Sequence, residues 1–178
     1  MSLSKRVAQL HIQAHSFERV IYSPKPITTF RDVKQVRGGV YQKPIGLWYS
    51  CDRDWKRYVQ TEMPSWAEGY RYKYLLDVNL SRMCLLQTEE EINEFHDKYC
   101  FKIDKWGEEG IDWVAVSRDY DGIEICPYQW GSRNDKKTKW YYPWDVASGC
   151  IWGRGAFKGV TEVENDISDE EYNLESEW

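Results

Sequence analysis

The chain has 178 residues and a mass of 21.3 kDa, which fits one domain built on one core. No apolar run approaches the roughly 18 residues needed to span a membrane, and the opening MSLSKRVAQLHIQAH has no apolar stretch of signal-peptide length. A cytoplasmic protein with no membrane partner is therefore expected. The formal charge of −5 is unevenly placed, because Thr161 to Trp178 carry eight acids and no Lys or Arg, leaving 21 acids against 24 bases in residues 1 to 160. This divides the chain into a domain over 1–160 and an acidic, flexible tail over 161–178, with a tail folded over a basic groove as the sharper alternative.

Five cysteines, Cys51, Cys84, Cys100, Cys126 and Cys150, contain no CxxC pair and are expected to be reduced. With His11, His15 and His96 they offer no tight ligand spacing, so no metal is expected. No His lies near Cys126 or Cys150 in sequence to activate either as a nucleophile. Ten Trp and 13 Tyr against five Phe favour rings that have an apolar body and a polar edge, suited to the walls of a site that stacks planar groups. Most of them are nonetheless expected in the core.

In chain order, Glu18 to Ser23 reads as a short strand stopped by Pro24 and Pro26. A polar loop with Gly38 and Gly39 runs to Lys43. Pro44 and Gly46 then introduce the strand Leu47 to Ser50, and Asp52 or Ser50 caps a helix beginning near Arg53 with Trp55, Tyr58 and Val59 on one face. Arg71 to Leu80 alternates as a strand with Tyr72, Tyr74, Leu76 and Val78 on one side, and Cys84 to Leu86 is a further apolar run. Thr88 and Glu91 form a capping box that starts a helix through Ile92, Phe95 and Tyr99. Ile111 to Val116 suggests a short buried helix, and Ile123 to Cys126 a strand ended by Pro127. The loop Gly131 to Lys139 carries Arg133, Lys136, Lys137 and Lys139, and WDVASGCIW follows with Trp144, Ile151 and Trp152 as core candidates. Short strands interleaved with short helices imply an α+β domain with a largely antiparallel sheet.

The GLWYS run from Gly46 to Ser50 resembles the G-[IL]-Y-[FW]-[AS] element of the ADP-ribosyltransferase superfamily, and the strand order with a later carboxylate strand is similar. The KPxGLW, YDGI and WDxxSGCIW segments are also similar to those of uncharacterised microbial and phage proteins. The resemblance implies a single-domain, split-sheet fold and an NAD-dependent mono-ADP-ribosyltransferase that releases nicotinamide and modifies a protein or nucleic acid. Within it, Trp48 and Tyr58 would stack nicotinamide, Ser50 would bond its amide, and Tyr49, Ser23 and Arg133 would complete the cofactor site.

The carboxylate of such a site steadies an oxocarbenium-like ribose. Glu124, opposite Ile123 and Ile125 in its strand, is expected to face the cleft in that role, with Asp121 as rival or as a turn residue. The first strand of many relatives bears a His or Arg. Val20 to Ser23 has neither, so Tyr22 or Ser23 stands in, or Arg19 reaches inward, or the strand includes His11 or His15. Asp145 and Ser148 fix a bend, or Asp145 orients the ligand or the acceptor. The runner-up readings are a non-catalytic nucleotide- or partner-binding module and an NAD glycohydrolase. By association, the resemblance also suggests a toxin or phage-defence role and a toxin–antitoxin or regulatory partner.

Overall fold

Seven strands form one sheet whose order, β4-β7-β8-β2-β1-β3-β9, places strands distant in sequence side by side. They are β1 (Arg19–Ser23), β2 (Leu47–Cys51), β3 (Tyr72–Val78), β4 (Met83–Leu86), β7 (Gly122–Ile125), β8 (Ser148–Ile151) and β9 (Phe157–Val163). Every pairing is antiparallel except β4 with β7. A separate two-stranded ladder joins β5 (Cys100–Lys102) and β6 (Glu109–Ile111). The helices are α1 (Asp54–Glu62), α2 (Glu89–Tyr99), α3 (Trp113–Asp119) and the one-turn α4 (Trp130–Arg133). This computed structural model describes residues 17–39, 41–104 and 107–169, so His11 and His15 lie outside the described residues. The architecture is the expected α+β class with a mostly antiparallel sheet.

Alternation along the strands sorts the side chains onto two faces. Ile123, Ile125 and Cys150 share one face and pack with Ile92, Phe95, Trp113, Trp140 and Trp144 under the helices. Ile21, Tyr49, Tyr74, Leu76 and Ile151 occupy the other face, where Ile27 and Phe30 of the long loop after β1 pack against them. Three Trp rings, Trp113, Trp140 and Trp144, are fully buried and anchor the core, but most of the other Trp and Tyr among the described residues stay partly or largely exposed, contrary to the expectation that most would be core. The helix α2 begins on the expected capping box, with Thr88 accepting from the Glu91 N–H and the Glu91 carboxylate accepting from the Thr88 N–H.

Three expectations require correction. The helix α1 has Arg53 at its N-cap with no side-chain cap. Asp52 instead sits at φ +48° and accepts from the Glu18 N–H at 2.8 Å, tying β1 to the turn after β2, while Ser50 lies within β2. The boundary at residue 160 falls inside β9, whose Thr161 and Glu162 pair with Leu75 and Tyr74. Beyond β9, Asp166 bonds Tyr22 and Lys73, and Ile167 is buried, so the acidic segment is tied down as far as these residues. The rest of the expected tail, from 170 onward, lies outside the described residues.

Candidate functional site

Where β1, β2 and β8 run side by side, their registers fix which side chains meet. Val20 is opposite Ser50, and Ser50 is opposite Ser148, so these three share a face, with Tyr22 and Trp48 two residues along their own strands. On that face a cleft of about 270 Å³ opens between the strands, Lys43, Trp55 of α1, Tyr70 and the Asp145–Val146 turn. Four rings line it, Tyr22, Trp48, Trp55 and Tyr70. Asp145 is its one carboxylate among the described residues.

Gly46 allows β2 to run this close to β8: a Cβ there would lie 2.2 Å from the Ile151 carbonyl oxygen. Trp48 is braced edge-on by Trp144 at 4.9 Å, and the Lys43 ammonium lies 5.3 Å from the Trp48 ring centroid. Lys43 Nζ is 3.9 Å from Asp145, and Arg133 Nη2 is 4.0 Å from the same carboxylate. Burial lowers the Lys43 pKa, and the neighbouring Asp145 charge only partly restores it. The Tyr22 hydroxyl donates to Asp166 at 2.8 Å; burial first, and then Asp166, raise its pKa. The cleft therefore combines flat aromatic walls, two serine hydroxyls, a carboxylate and a cation within one partly closed space.

No family model, curated protein or solved structure matches the chain.

The expected site residues divide between the two faces. Trp48, Ser50 and Tyr22 line the cleft. Tyr49 also contributes to its wall, but its hydroxyl is committed elsewhere, donating to Glu124 at 2.6 Å. Glu124 pairs with Gly149, which in turn pairs with Tyr49, so alternation places the carboxylate on the face opposite Ser50 and Ser148. The expectation that it faces the cleft is thus corrected: the isoleucines do face the core as alternation requires, but the cleft opens on their side.

Glu124 is 2% exposed and held by Arg19, whose Nε donates at 2.7 Å and Nη2 at 3.0 Å. Burial works against the Arg19 charge, but the Glu124 hydrogen bonds and charge outweigh it and raise the pKa; burial and then Glu124 push the Tyr49 phenol well up. Arg19 does reach inward, as one of the alternatives for the first strand has it, but to this sealed carboxylate.

Asp121 is a turn residue away from the cleft. It accepts from Arg82 Nε at 2.7 Å, its carbonyl takes the Trp152 and Gly153 N–H groups, and it lines a different groove. The Ser23 hydroxyl donates to the Lys25 carbonyl within the turn after β1. Tyr58 does not line the cleft; it stacks on Trp55 at 5.4 Å, and Trp55, one turn earlier on α1, supplies the ring. Arg133 stands at the rim through Asp145.

Sequence reasoning missed Trp55 as a wall because helical spacing put it with Tyr58 and Val59, and the face of α1 that meets the strands depends on tertiary packing. Tyr70 lies in an irregular segment that carries no periodic signal, whereas Lys43 opens the KPIGLWYS segment, residues 43–50, that the sequence marks as a ligand-site candidate.

Away from the cleft, His96, Cys100 and Glu109 bring one ligand atom each to within 4.8 Å of one another and are the group that could hold a metal ion among the described residues. His96 Nε2 lies 3.1 Å from Glu109, and its Nδ1 is buried without a hydrogen-bond partner. None of the three lines the cleft.

Proposed function

We propose that the protein is an NAD-dependent mono-ADP-ribosyltransferase whose reacting carboxylate is Asp145. The observation that carries this reading is the joint presence, in one cleft, of four aromatic walls, the Ser50 and Ser148 hydroxyls and a single carboxylate beside a lysine. A volume of about 270 Å³ suits the nicotinamide and ribose half of NAD, with the rest of the dinucleotide passing over the rim.

Each group then has a physical task. Trp48 and Trp55 offer π-faces to the nicotinamide ring, and a serine hydroxyl bonds its carboxamide. As the ribose C1′–nitrogen bond breaks, nicotinamide leaves with the bonding electrons and positive charge develops on the ribose. Asp145 stabilises that charge and holds the ribose hydroxyls. An acceptor nucleophile forms the new bond to C1′ and gives up its proton. Lys43 and Arg133, already drawn to Asp145, are placed to meet the pyrophosphate.

Labelled NAD incubated with the protein and a cell lysate tests this, alongside Trp-fluorescence quenching by NAD. Transfer of label that disappears in Asp145→Asn while NAD quenching persists supports the reading. Absence of quenching and of released nicotinamide in the wild type sinks it. The closed Arg19–Glu124–Tyr49 cluster, which withholds a second carboxylate from the cleft, favours a binding module as the other reading; quenching without nicotinamide release selects it.

A further inference from the structure

Beside the cleft, rings and cations crowd a surface that shares only Arg133 with the NAD reading. Trp130 is 69% exposed and Tyr142 59% exposed, although each is a residue that folding could have buried. Their positions are held from below. Tyr128 meets Trp130 edge-on at 4.7 Å, and the Tyr128 hydroxyl accepts from Arg133 Nη1 at 3.0 Å. The Arg133 guanidinium in turn lies 5.2 Å from the Tyr142 ring centroid and 4.0 Å from Asp145 at the cleft. The same segment presents Lys136 and Lys139, exposed and making no ion pair among the described residues. The rim is therefore a fixed array of π-faces interleaved with positive charge, running into the cleft through Arg133.

From this arrangement we infer that the rim around Trp130, Tyr142 and Arg133 binds single-stranded nucleic acid, and that this strand is the acceptor presented to the cleft. Every base has a flat face that can stack on an exposed ring, and every linkage has a phosphate that a nearby Lys or Arg neutralises, so alternating rings and cations match that polymer without requiring a sequence. A duplex hides its base faces and offers the rings nothing. Trp, Tyr and Arg suit a protein interface as well, but lysine is depleted at such interfaces, whereas the exposed Lys136 and Lys139 beside the rings match the phosphates of a strand.

The binding half of this inference stands on the rim alone, and the acceptor half rests on the NAD reading. In the transfer, a base nitrogen bonds to ribose C1′ as the bond to nicotinamide breaks, and the displaced proton passes to solvent or Asp145.

Fluorescence anisotropy with the full chain and labelled oligo(dT) and oligo(A) of about 12 nucleotides, a length within the range of single-strand sites, tests the surface without NAD. Expected are saturable binding that weakens as salt rises, at least tenfold loss in the Trp130→Ala/Tyr142→Ala double variant, and a shallower salt dependence in Lys136→Glu/Lys139→Glu. The same-length duplex should bind at least tenfold more weakly. Both rings are exposed, so thermal melting of the variants should match the wild type. No binding at low salt, equal binding by the ring variant, or equal binding of the duplex overturns the surface. Label from NAD found on protein in a lysate and never on the oligonucleotide overturns the acceptor role. NAD quenching measured separately distinguishes these failures from failure of the cleft itself.

Discussion

Replacing Glu124 by Ala removes the acceptor of three short hydrogen bonds, at 2.6, 2.7 and 3.0 Å, two of them from the guanidinium of Arg19, which is only 8% exposed. Breaking a buried ion pair by deleting one partner costs about 3–5 kcal/mol, because the remaining charge loses its counter-charge in a site shielded from water. In a domain of this size each kcal/mol corresponds to roughly 2–4 °C in Tm, so the melting temperature should fall by about 6–20 °C. Differential scanning calorimetry with urea unfolding measures it.

The double variant Arg19→Met/Glu124→Leu removes both charges and should recover most of the loss, since apolar replacements of a buried pair are often neutral. Loss of activity in Glu124→Ala would then reflect unfolding, and activity per folded molecule should persist in the double variant. A Glu124→Ala protein within about 1 kcal/mol of wild type would refute this account, because a cost that small belongs to a solvated surface pair.

Other consequences are as specific. Trp55→Ala should weaken NAD quenching about tenfold or more, while Tyr58→Ala, which removes only the ring behind it, should change quenching less; the reverse order would place the cleft wall wrongly. Gly149→Ala would set a Cβ 2.3 Å from the Tyr49 ring and 2.8 Å from the Ile123 carbonyl oxygen, so strong destabilisation in thermal melting is expected, and a neutral effect would contradict the packing.

Asp166 is held down to about 2, burial opposing the shift and the Lys73 and Tyr22 hydrogen bonds prevailing. Its folded pKa lies below the free value of about 3.9, so its contribution is complete above about pH 4 and is lost as pH falls through about 2. With the side chain 25% exposed, that contribution is about 1 kcal/mol after screening. Urea unfolding of wild type and Asp166→Asn should show this gap at about pH 5 and its decline towards pH 2, as the linkage requires. A gap that does not change with pH would remove Asp166 from the account.

Much of the fold is legible in the sequence where a local signal is strong. The Thr88–Glu91 box starts α2, and Pro24 and Pro127 lie just beyond the ends of β1 and β7. The strands β8 and β9 are not legible in that way. Ser148 to Ile151 includes a glycine and sits among tryptophans, and β9 contains Gly159 and an alternation too polar to separate from an acidic tail. Only pairing with β2, β7 and β3 makes them strands. The site shows the same division. The motif around Trp48 and Ser50 marks a cleft wall, whereas the side of the sheet on which the cleft opens is set by the registers of β1, β2 and β8. Alternation along β7 correctly opposes Glu124 to its isoleucines, yet no feature of that segment reveals that its neighbours open the cleft on the isoleucine side.

The position of β8 between β7 and β2 has a consequence for synthesis. A chain made only as far as Pro143 contains β1, β2 and β3 on one side and β4 and β7 on the other, with no strand to join them. Asp145 and Ser148 arrive on the segment that closes the gap, so the carboxylate and the second hydroxyl enter the cleft in the same event that completes the sheet. Such long-range closure comes late in folding because loop entropy must be overcome before the contacts form. A nascent chain on the ribosome would thus carry the aromatic walls without the cleft's carboxylate, and on the proposed reading any activity would appear only after β8 has been made.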